Sequence, residues 1–573
     1  MDVKNQIKQD LELVLKKIGV DQEGSVELTN DLAKGDYTSN IAFIAAKELG
    51  KSPQEIATEI SAGFKGKDYL SKVEAVKGFV NFYISDNILS TQLNKLLASD
   101  TKPENTPLKG KKIMVEYAHP NTHKEMHIGH MRTLITGEAI ARLLQAQNVQ
   151  VFRANYQGDI GPHVAKALYG IQKIIKDKGL NLEEIKKWNN RDKAHFLGEG
   201  YVVGNQDYDE HKKEIDEINT KLYSKTSDVS SLYEETREWS LAYYDEFYTR
   251  FYTHFDRLFF ESEMAECGKK MVLENTPKVF TQDEGAYIFS GERYGLHTRV
   301  FITKDGNPTY EGKEMCNAFT QFKTFAFDKK IHVVASEQKG YFEVVFKALD
   351  LIDPAKFKSK QLHVSMGMVH LSDRKMSSRT GEILTVDWLI DQVKEKVDEL
   401  LKEGRIKADN KEKVAEQIAI GAIKYSVLKV GTGQDVAFSI DKSVSLEGDS
   451  GPYLQYTVAR INSILAKSQI PNSKSQINSK FQIQSSKQEQ EESNLLRLLY
   501  RYQEILEQAA VRYAPNILTS YLFDVAKAFN LFYQKHKILG SNKENVRIFI
   551  ALLTSRVLKL GLESLGIETP EQM

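Results

Sequence analysis

Cysteine is nearly absent from this chain, which has two cysteines, Cys267 and Cys316, in 573 residues. They are far apart in the sequence and form no C-x-x-C spacing, so they argue against a zinc site, and so few cysteines suit a reducing compartment. Runs of about eighteen apolar residues are also missing, and the N-terminus reads as a charged amphipathic helix rather than a signal peptide. These absences predict a cytoplasmic protein without a membrane span.

An excess of charge of either sign is missing as well. Lys plus Arg and Asp plus Glu both number 78, so the formal net charge is zero. Nucleic-acid binding depends on a local basic face and not on the average, so the net charge neither supports nor excludes it. The length predicts about three or four domains, and 41% hydrophobic with 27% charged residues is ordinary for a globular protein.

What the chain does have is a cluster of histidines in the stretch "YAHPNTHKEMHIGHMRTL". Its members are His119, His123, His127 and His130. A zinc-binding helix needs two histidines one turn apart in the pattern H-E-x-x-H. His123 and His127 do not fit that pattern, and Pro120 and Gly129 interrupt any continuous helix. A metal site is therefore disfavoured, while capping or core histidines remain an alternative.

This cluster lies between a predicted strand and a predicted helix. Residues 113–117 are mostly β-branched or apolar, and residues 130–147 have apolar positions at a helical period. His127 to His130 would then lie at a helix N-terminus, where unpaired N–H groups and the helix dipole suit a phosphate. Gly129 would let a ligand approach the backbone, and imidazoles there would donate hydrogen bonds to phosphate oxygens.

Along the chain, strand and helix patterns alternate after a first mixed unit, which predicts a parallel sheet covered by helices. The clearest strands are "VQVFRANYQ", "KKIHVVASEQ" and "QLHVSMGMVHL". The predicted units are an α+β unit at 1–105, an α/β unit at 110–389 with inserted helices at about 181–273, and an all-helical unit at 390–573. A low-complexity segment at about 466–490 is predicted to be a disordered loop.

A second motif is "LSDRKMSSRTGEI", a polar loop after a strand. Its cations Arg374, Lys375 and Arg379 fit a polyphosphate whose charge rises as a leaving group departs. Alone, such a loop is usually a solvated surface turn. Together with H-x-G-H at the start of an α/β unit it is far more specific.

The two motifs together resemble the HIGH and KMSKS motifs of class I aminoacyl-tRNA synthetases. Further stretches narrow the resemblance to arginyl-tRNA synthetases: "VEYAHPNTHKEMHIGHMR", "GNPTYEGKEMCNA", "HVVASEQKGYF", "VSLEGDSGPYLQYTVARINSIL" and the N-terminal "GFVNFYI". The resemblance covers nearly the whole chain. It implies a Rossmann-like catalytic domain, an N-terminal tRNA-binding domain and a helical anticodon-binding domain.

The resemblance also implies a reaction. The arginine carboxylate attacks the α-phosphorus of ATP, and the arginyl group then passes from the adenylate to the 2′-hydroxyl at the 3′ end of tRNA(Arg). ATP is a substrate and Mg²⁺ accompanies it, held largely by the phosphates. The expected partners are tRNA(Arg) and L-arginine, with no resident metal in the protein and a monomeric state.

Carried over residue by residue, the family motifs imply four groups of site residues. The catalytic group is His127, His130, Lys375 and Lys124. The ATP-binding group adds Gly129, Met368, Val369 and Ser377. The arginine-binding group is Glu116, Asn121, Tyr310, Glu314 and Gln338. The tRNA-binding group is Asn81, Phe82, Tyr453, Gln455 and Tyr456.

Two positions depart from the family pattern. The family usually has Asp where Glu314 stands, so the extra methylene puts the geometry of that contact in question. Ser378 replaces the second lysine of KMSKS, and Lys124 is implied to supply the missing charge.

Three alternatives remain open from sequence. Another synthetase of the same class, for lysine or cysteine, would share both motifs, and Tyr310 and Gln338 are the residues that discriminate against it. A catalytically silent tRNA-binding relative would not need His127, His130 and Lys375. A small-molecule nucleotidyltransferase would not need the long helical C-terminus.

Overall fold

A computed structural model describes residues 2–98, 106–224, 227–372, 384–406, 409–468 and 488–573. The polar segment with Lys375 and Ser377 therefore lies outside the described residues, as does most of the predicted loop at 466–490. None of the described helices is long and apolar enough to cross a membrane.

The N-terminal unit is a small antiparallel sheet covered by helices. Its elements are α1 (Val3–Lys17), β1 (Glu27–Leu28), β2 (Tyr37–Ser39), α2 (Ile41–Leu49), α3 (Pro53–Gly63), β3 (Leu70–Val76), β4 (Phe79–Ile84) and α4 (Asp86–Ala98). The strand order is β1-β2-β4-β3. Lys77 and Gly78 form the β3–β4 turn with φ of 50° and 85°, and positive φ at both positions matches the twist of a hairpin.

The central unit contains a five-stranded sheet and a smaller three-stranded one. Its strands are β5 (Lys112–Glu116), β6 (Gln150–Gln157), β7 (Arg257–Phe260), β8 (Thr281–Asp283), β9 (Ala286–Phe289), β10 (Arg299–Ile302), β11 (Lys329–Ala335), β12 (Gln361–Met366) and β13 (Val369–Leu371). The large sheet has the order β12-β11-β5-β6-β7 with every pairing parallel. Strand order reverses between β5 and β11, and ligands bind α/β sheets at the carboxyl ends of strands at such a point.

Helices join the strands of the central unit. They are α5 (Ile128–Ala146), α6 (Pro162–Lys178), α7 (Leu182–Ile185), α8 (Asn190–Gln206), α9 (Tyr208–Ser224), α10 (Ser227–Arg250), α11 (Glu261–Glu274), α12 (Tyr310–Thr324), α13 (Lys339–Ile352) and α14 (Pro354–Phe357). The predicted strand–turn–helix around the histidine cluster is confirmed by β5 and α5.

The inserted helices differ from the prediction at both ends. Helices α6 to α10 form their own apolar core, which starts at Ile160 and ends at Trp239. The chain is back in the large sheet at β7, within the range 181–273 that was predicted as the insertion. The prediction was wrong there because the aromatic run "HFDRLFF" after α10 continues the apolar pattern of the helix without a break.

The described part of the C-terminal unit is helical except for one short strand. Its elements are α15 (Val386–Lys402), α16 (Lys411–Leu428), β14 (Val436–Phe438), α17 (Ile440–Ser443), α18 (Gly451–Lys467), α19 (Gln490–Tyr500), α20 (Tyr502–Val511), α21 (Pro515–Lys535) and α22 (Glu544–Ser564). Strand β14 pairs in parallel with β13, which corrects the all-helical prediction. One apolar core contains residues of both units, among them Val115 of β5 and Leu562 of α22. The C-terminal unit and the large sheet are therefore packed together.

The two cysteines are joined. Cys267 of α11 and Cys316 of α12 form a disulfide, with Cα atoms 5.6 Å apart across 49 residues of sequence. Their spacing along the chain did not predict this pairing. The helices come close where Gly268 meets Gly312: a Cβ at 268 would lie 2.3 Å from the carbonyl oxygen of Gly312.

Candidate active site

The candidate site opens where β5 ends, beside the point at which strand order reverses. Ala118 and His119, just after this strand, have φ of 78° and 53°. A left-handed backbone at two consecutive non-glycine residues is strained, and such strain is concentrated at functional sites. It turns the chain sharply from the sheet into the loop that leads to α5.

The first turn of α5 carries two stacked imidazoles, His127 and His130, called here the imidazole pair. Their ring centroids are 3.7 Å apart. His127 is the N-cap residue, and its Nδ1 accepts hydrogen bonds from the backbone N–H groups of Gly129 (3.1 Å) and His130 (3.3 Å). An Nδ1 that accepts cannot carry the proton of a neutral ring, so Nε2–H is left as a donor.

Both rings are neutral at physiological pH. Burial lowers the pKa of His127, and the nearby Lys124 charge lowers it further. Burial also holds the pKa of His130 well below its usual range, with His127 and His119 adding to the effect. Gly129 lies against this pair: a Cβ there would lie 2.9 Å from Cε1 of His127. The turn therefore offers neutral imidazole N–H donors, which suit an anionic ligand, while the backbone N–H groups of Gly129 and His130 are already bound to His127.

The other two histidines of the cluster have structural partners. His123 is fully buried, with Nδ1 2.9 Å from Thr122 Oγ1 and Nε2 2.8 Å from Thr236 Oγ1. His119 Nδ1 lies 3.2 Å from the carbonyl oxygen of Tyr156 and donates to it. Within the part of the chain that the structure describes, no three His, Cys, Asp or Glu side chains form a group able to hold a metal.

A cluster of buried polar side chains is contributed by β5, α12 and β11. We call it the carboxylate pocket, and its members are Glu116, Glu314, Asn317, Gln321 and Lys330. Lys330 Nζ is 3.0 Å from Glu116 Oε2, and Gln321 donates to the same oxygen. Burial alone would raise the pKa of Glu116, but the Lys330 charge and His332 hold it well below its usual range. Glu116 is thus a buried anion with its own counter-ion.

Glu314 has no such counter-ion. Its Oε2 accepts a hydrogen bond from Asn317 Nδ2 at 3.1 Å, and no lysine, arginine or histidine of the described chain forms an ion pair with it. Burial and the neighbouring Glu116 raise the pKa of Glu314 to about 7. A buried carboxyl in this state gains stability when a cation arrives, so the pocket is electrostatically incomplete until it binds a positive group.

The remaining predicted arginine-binding residues lie on three different segments and differ in exposure. Tyr310 is the first residue of α12, after the N-cap Thr309, and its side chain is 53% exposed. Asn121 pairs with Gly158 at the end of β6, where any side chain at 158 would collide with the Asn121 amide. Gln338 is exposed just beyond the end of β11.

The predicted ATP-binding residues Met368 and Val369 lie beside the first turn of α5. The backbone N–H of Met368 donates to Asp435 Oδ1 at 2.7 Å, and its carbonyl accepts from Arg132 of α5 at 2.7 Å. Both backbone groups of Met368 are therefore occupied, and its exposed side chain is what it offers to a ligand.

Arg132 is buried and connects three chain segments through its hydrogen bonds. Besides Met368, its guanidinium donates to the carbonyl of Thr432 at 3.0 Å and to that of Gln434. These bonds tie α5 to the start of β13 and to the turn that precedes β14. Sequence reasoning missed this residue because an arginine one turn into a helix usually faces solvent.

Residues 384 and 386, where the described chain resumes, form backbone hydrogen bonds on both sides of His127. Ile128 N–H donates to the Leu384 carbonyl at 3.1 Å, and Val386 N–H donates to the Met126 carbonyl at 2.8 Å. Leu384 and Val386 are thus fixed beside the start of α5.

Three of the predicted tRNA-binding residues are buried, so direct contact with RNA was wrongly assigned to them. Asn81 and Phe82 lie inside the N-terminal unit, and Gln455 donates to the carbonyls of Gln417 (3.0 Å) and Glu568 (2.7 Å). Strand alternation and helix periodicity do not reveal which face is the core when aromatic or amide residues occupy both faces.

The two tyrosines of α18 are partly exposed. Tyr453 packs against the core, and its hydroxyl accepts a hydrogen bond from Asn530 at 2.9 Å. Tyr456 lies beneath the guanidinium of Arg460, 4.8 Å from its ring centroid, and the same guanidinium is 5.7 Å from the ring of Tyr533.

Sequence reasoning also missed Lys330, Gln321 and Asn317 of the carboxylate pocket. The available signal was a charged residue inside an apolar strand: Lys330 stands in "KKIHVVA", and Glu116 ends the neighbouring strand. That signal needs the strand order, because only adjacent parallel strands bring the two charges together.

Comparison with known proteins agrees with this geometry along the whole chain. Residues 92–440 match the family described as tRNA synthetases class I (R), catalytic domain. Residues 454–573 match the DALR anticodon binding domain, and residues 1–84 match the arginyl tRNA synthetase N terminal domain.

Individual proteins and solved structures are similar to this chain along its length. An arginine–tRNA ligase of Clostridium kluyveri is 30% identical over 579 residues, covering 99% of this chain and 98% of the relative, and one of Clostridium botulinum is 30% identical over the full length of both. The arginyl-tRNA synthetase structure of Thermus thermophilus superposes with a TM-score of 0.83 at 26% identity over all of both chains. That of Plasmodium falciparum, with the same TM-score at 21% identity, supports the fold. The chain belongs to the arginyl-tRNA synthetases, within class I of the aminoacyl-tRNA synthetases.

Proposed function

We propose that this chain is an arginine–tRNA ligase that acts in two steps. In the first, an oxygen of the arginine carboxylate bonds to the α-phosphorus of ATP, and the bond to the bridging oxygen breaks to release pyrophosphate. In the second, the terminal 2′-hydroxyl of tRNA(Arg) attacks the arginyl carbonyl and AMP leaves. The protein mainly orients the reactants and offsets the charge that develops.

Arginine selection rests on the carboxylate pocket, and this is the observation that carries the proposal. Glu314 is a buried carboxyl without an ion-pair partner among the described residues, and Glu116 beside it has Oε1 3.0 Å from His332 Nδ1 and Oε2 3.0 Å from Lys330 Nζ. A guanidinium offers five donors in a plane and can serve both carboxylates, whereas an ammonium is a point charge with three donors. Tyr310, Asn121 and Gln338 are proposed to complete the contacts with the substrate.

The longer side chain of Glu314 is accommodated in this scheme. Its carboxyl is held by Asn317, one turn further along α12, so the extra methylene does not leave the group without a fixed position. We propose that Glu314 takes the part that the family usually gives to aspartate.

Phosphate binding is assigned to the first turn of α5. His127 offers Nε2–H, and His130 and the backbone at Gly129 lie beside it. Neutral imidazoles bind phosphate oxygens as hydrogen-bond donors, and their contribution grows as those oxygens gain charge. Lys124, Lys375 and Ser377 are proposed to bind the pyrophosphate side, while Met368 and Val369 contact the nucleoside.

Mg²⁺ is proposed to enter with ATP. The described residues contain no carboxylate or histidine cluster that fits a resident ion, so no step is assigned to a metal held by the protein. Mg²⁺ keeps most of its water and phosphate ligands in such sites.

The tRNA is proposed to contact two exposed aromatic surfaces. On the C-terminal unit the surface is Tyr456, Arg460 and Tyr533, in which Tyr533 is 40% exposed. On the N-terminal unit it is Phe43 and Phe79, 39% and 42% exposed with ring centroids 5.1 Å apart. Loop bases are commonly held by stacking on such rings, worth about 1–3 kcal/mol per base. The predicted monomeric state and cytoplasmic location stay predictions.

The test is amino-acid-dependent ATP–pyrophosphate exchange with arginine and lysine, run with and without tRNA, followed by charging of tRNA. We expect charging with arginine and rejection of lysine by about 10⁴-fold in kcat/KM, the range for sites built on hydrogen bonds. The Glu314→Gln variant tests the role of the carboxylate pocket and should lose most of its activity with arginine. Equal use of lysine by the unmodified enzyme would contradict the proposal.

A further inference from the structure

We propose that Tyr201, in the inserted helices, is a positioning residue for arginine activation, because its ring holds the ammonium group of Lys124 beside the imidazole pair. The inference rests on the proposed function, in which Lys124 binds the phosphates. It gives the inserted helices a part in catalysis through one defined contact.

The backbone of Lys124 is fixed from one side by α10. The hydroxyl of Tyr244 lies 2.6 Å from the carbonyl oxygen of Asn121 and 2.7 Å from that of Lys124, so its single proton is shared between them. This pair of bonds fixes the loop between β5 and α5. It leaves the long side chain of Lys124 with its own rotational freedom, which the loop alone does not restrict.

The side chain is restricted by α8. Lys124 Nζ lies 4.2 Å from the centroid of the Tyr201 ring, well within the range of a cation–π contact. No aspartate or glutamate of the described chain lies within ion-pair distance of Lys124, so an aromatic face holds this cation in place of a carboxylate. A carboxylate would neutralise the charge that a phosphate needs, whereas a ring orients it and leaves it available.

The neighbouring carboxylate is turned away from Lys124 by the same helix. Glu125 Oε1 lies 3.5 Å from His195 Nδ1. Gly198, one turn further along α8, leaves room for this carboxylate, since a Cβ at 198 would lie 3.2 Å from Glu125 Oε2. His195, Gly198 and Tyr201 are three residues apart, so one face of α8 separates the two charges of the Lys124–Glu125 pair.

Helix α8 is a rigid support for this contact. A Cβ at Gly170 of α6 would lie 1.9 Å from the carbonyl oxygen of Gly200, and one at Gly204 would lie 1.9 Å from that of Lys166. The two backbones therefore touch on both sides of Tyr201 in the sequence. Because α6 follows directly from β6 of the large sheet, the ring has a fixed position relative to the site.

The charge itself reaches the imidazole pair. Burial is the main cause of the lowered pKa of His127 and His163, and the Lys124 charge is the next contribution to each. Ser378 in the second motif removes one lysine that the family pattern would supply, so the placement of Lys124 carries more weight in this chain.

The experiment measures ATP–pyrophosphate exchange by the full-length enzyme for Tyr201→Leu, Tyr201→Phe, Lys124→Met and the double variant Tyr201→Leu/Lys124→Met. Tyr208→Leu is the matched control, because Lys166 lies 4.1 Å from the Tyr208 ring in the same inserted helices but away from the site.

We expect Tyr201→Leu to lower kcat and raise KM for pyrophosphate, together about 2- to 30-fold in kcat/KM, without changing KM for arginine. Tyr201→Phe should keep nearly full activity, since the ring face is retained. Tyr208→Leu should match the unmodified enzyme. In the Lys124→Met background, Tyr201→Leu should have no further effect, because the two residues act through one contact.

Full activity of Tyr201→Leu beside a strongly impaired Lys124→Met would overturn the inference and leave the proposed function standing. Full activity of Lys124→Met would instead remove the role proposed for Lys124 in phosphate binding. Equal loss in the Leu and Phe variants with a lowered Tm would mean that Tyr201 is only a packing residue, which also overturns the inference.

Discussion

The carboxylate pocket and the imidazole pair handle charge in opposite ways, although β5 and α5, which carry Glu116 and the pair, are joined by one loop. The pocket buries two carboxylates and gives only Glu116 a counter-ion, Lys330. The imidazole pair stacks two partly buried bases and keeps both neutral. In the proposed function, ground-state selection of a cation uses a buried carboxyl without an ion-pair partner among the described residues, whereas stabilisation of a charge that develops during reaction uses neutral donors.

Removing the compensated charge should have the largest effect. Glu116→Gln leaves Lys330 as a buried cation without an anion, and such changes cost about 3–5 kcal/mol in the free energy of unfolding. Urea unfolding followed by circular dichroism measures it. The double variant Glu116→Gln/Lys330→Met should recover most of the stability but not the arginine affinity. Recovery of both would mean that Glu116 is structural and does not contact arginine.

Removing one donor of the imidazole pair should act on rate instead of stability. We expect His130→Ala to lower kcat by about 10²–10³-fold with a much smaller change in KM for ATP, because the donor acts mainly in the transition state. His254→Ala, an exposed histidine away from the site, serves as the control. A normal kcat in His130→Ala would show that this imidazole only packs.

The unpaired carboxyl should make arginine binding depend on pH. Because the pKa of Glu314 is about 7 without substrate and a guanidinium favours its ionised form, KM for arginine should rise as pH falls below 7, by up to about tenfold per unit. Above pH 7 the carboxyl is already ionised and KM should level off. Steady-state kinetics at fixed ionic strength measure this, and Glu314→Gln should abolish the dependence. The same slope in that variant would assign the titration to another group.

The smallest effect is expected for the exposed residue Gln338. Gln338 is exposed, so Gln338→Ala removes at most one solvent-competed hydrogen bond, worth about 0.5–1.5 kcal/mol. KM for arginine should rise roughly 2- to 12-fold while stability and KM for ATP stay unchanged. A loss comparable to that of Glu314→Gln would mean that selection does not depend on the buried charges.

Local patterns predicted the backbone structure around the imidazole pair well. The strand before His127, the cap at His127 and the helix after it depend on residues close in sequence, and periodicity with turn chemistry is sufficient to find them. The parallel sheet followed from the alternation of strands and helices in the same way.

The carboxylate pocket could be predicted only in part, because it depends on strand order. Glu116 and Glu314 were found through family motifs, but the Lys330 counter-ion belongs to a strand more than two hundred residues away that lies beside β5 only in the fold. The disulfide between Cys267 and Cys316 escaped prediction for the same reason. Phe82 and Gln455 were misassigned because a motif gives a residue's identity and not the direction of its side chain.

The hydrogen bonds of Arg132 affect how the free energy of ATP binding is used in the proposed function. One buried guanidinium bonds to the carbonyls of Met368, Thr432 and Gln434, so the first turn of α5 is anchored to two other segments before any ligand arrives. Little of the free energy of ATP binding is then consumed in ordering the imidazole pair. That free energy remains available to lower the barrier for attack on the α-phosphorus.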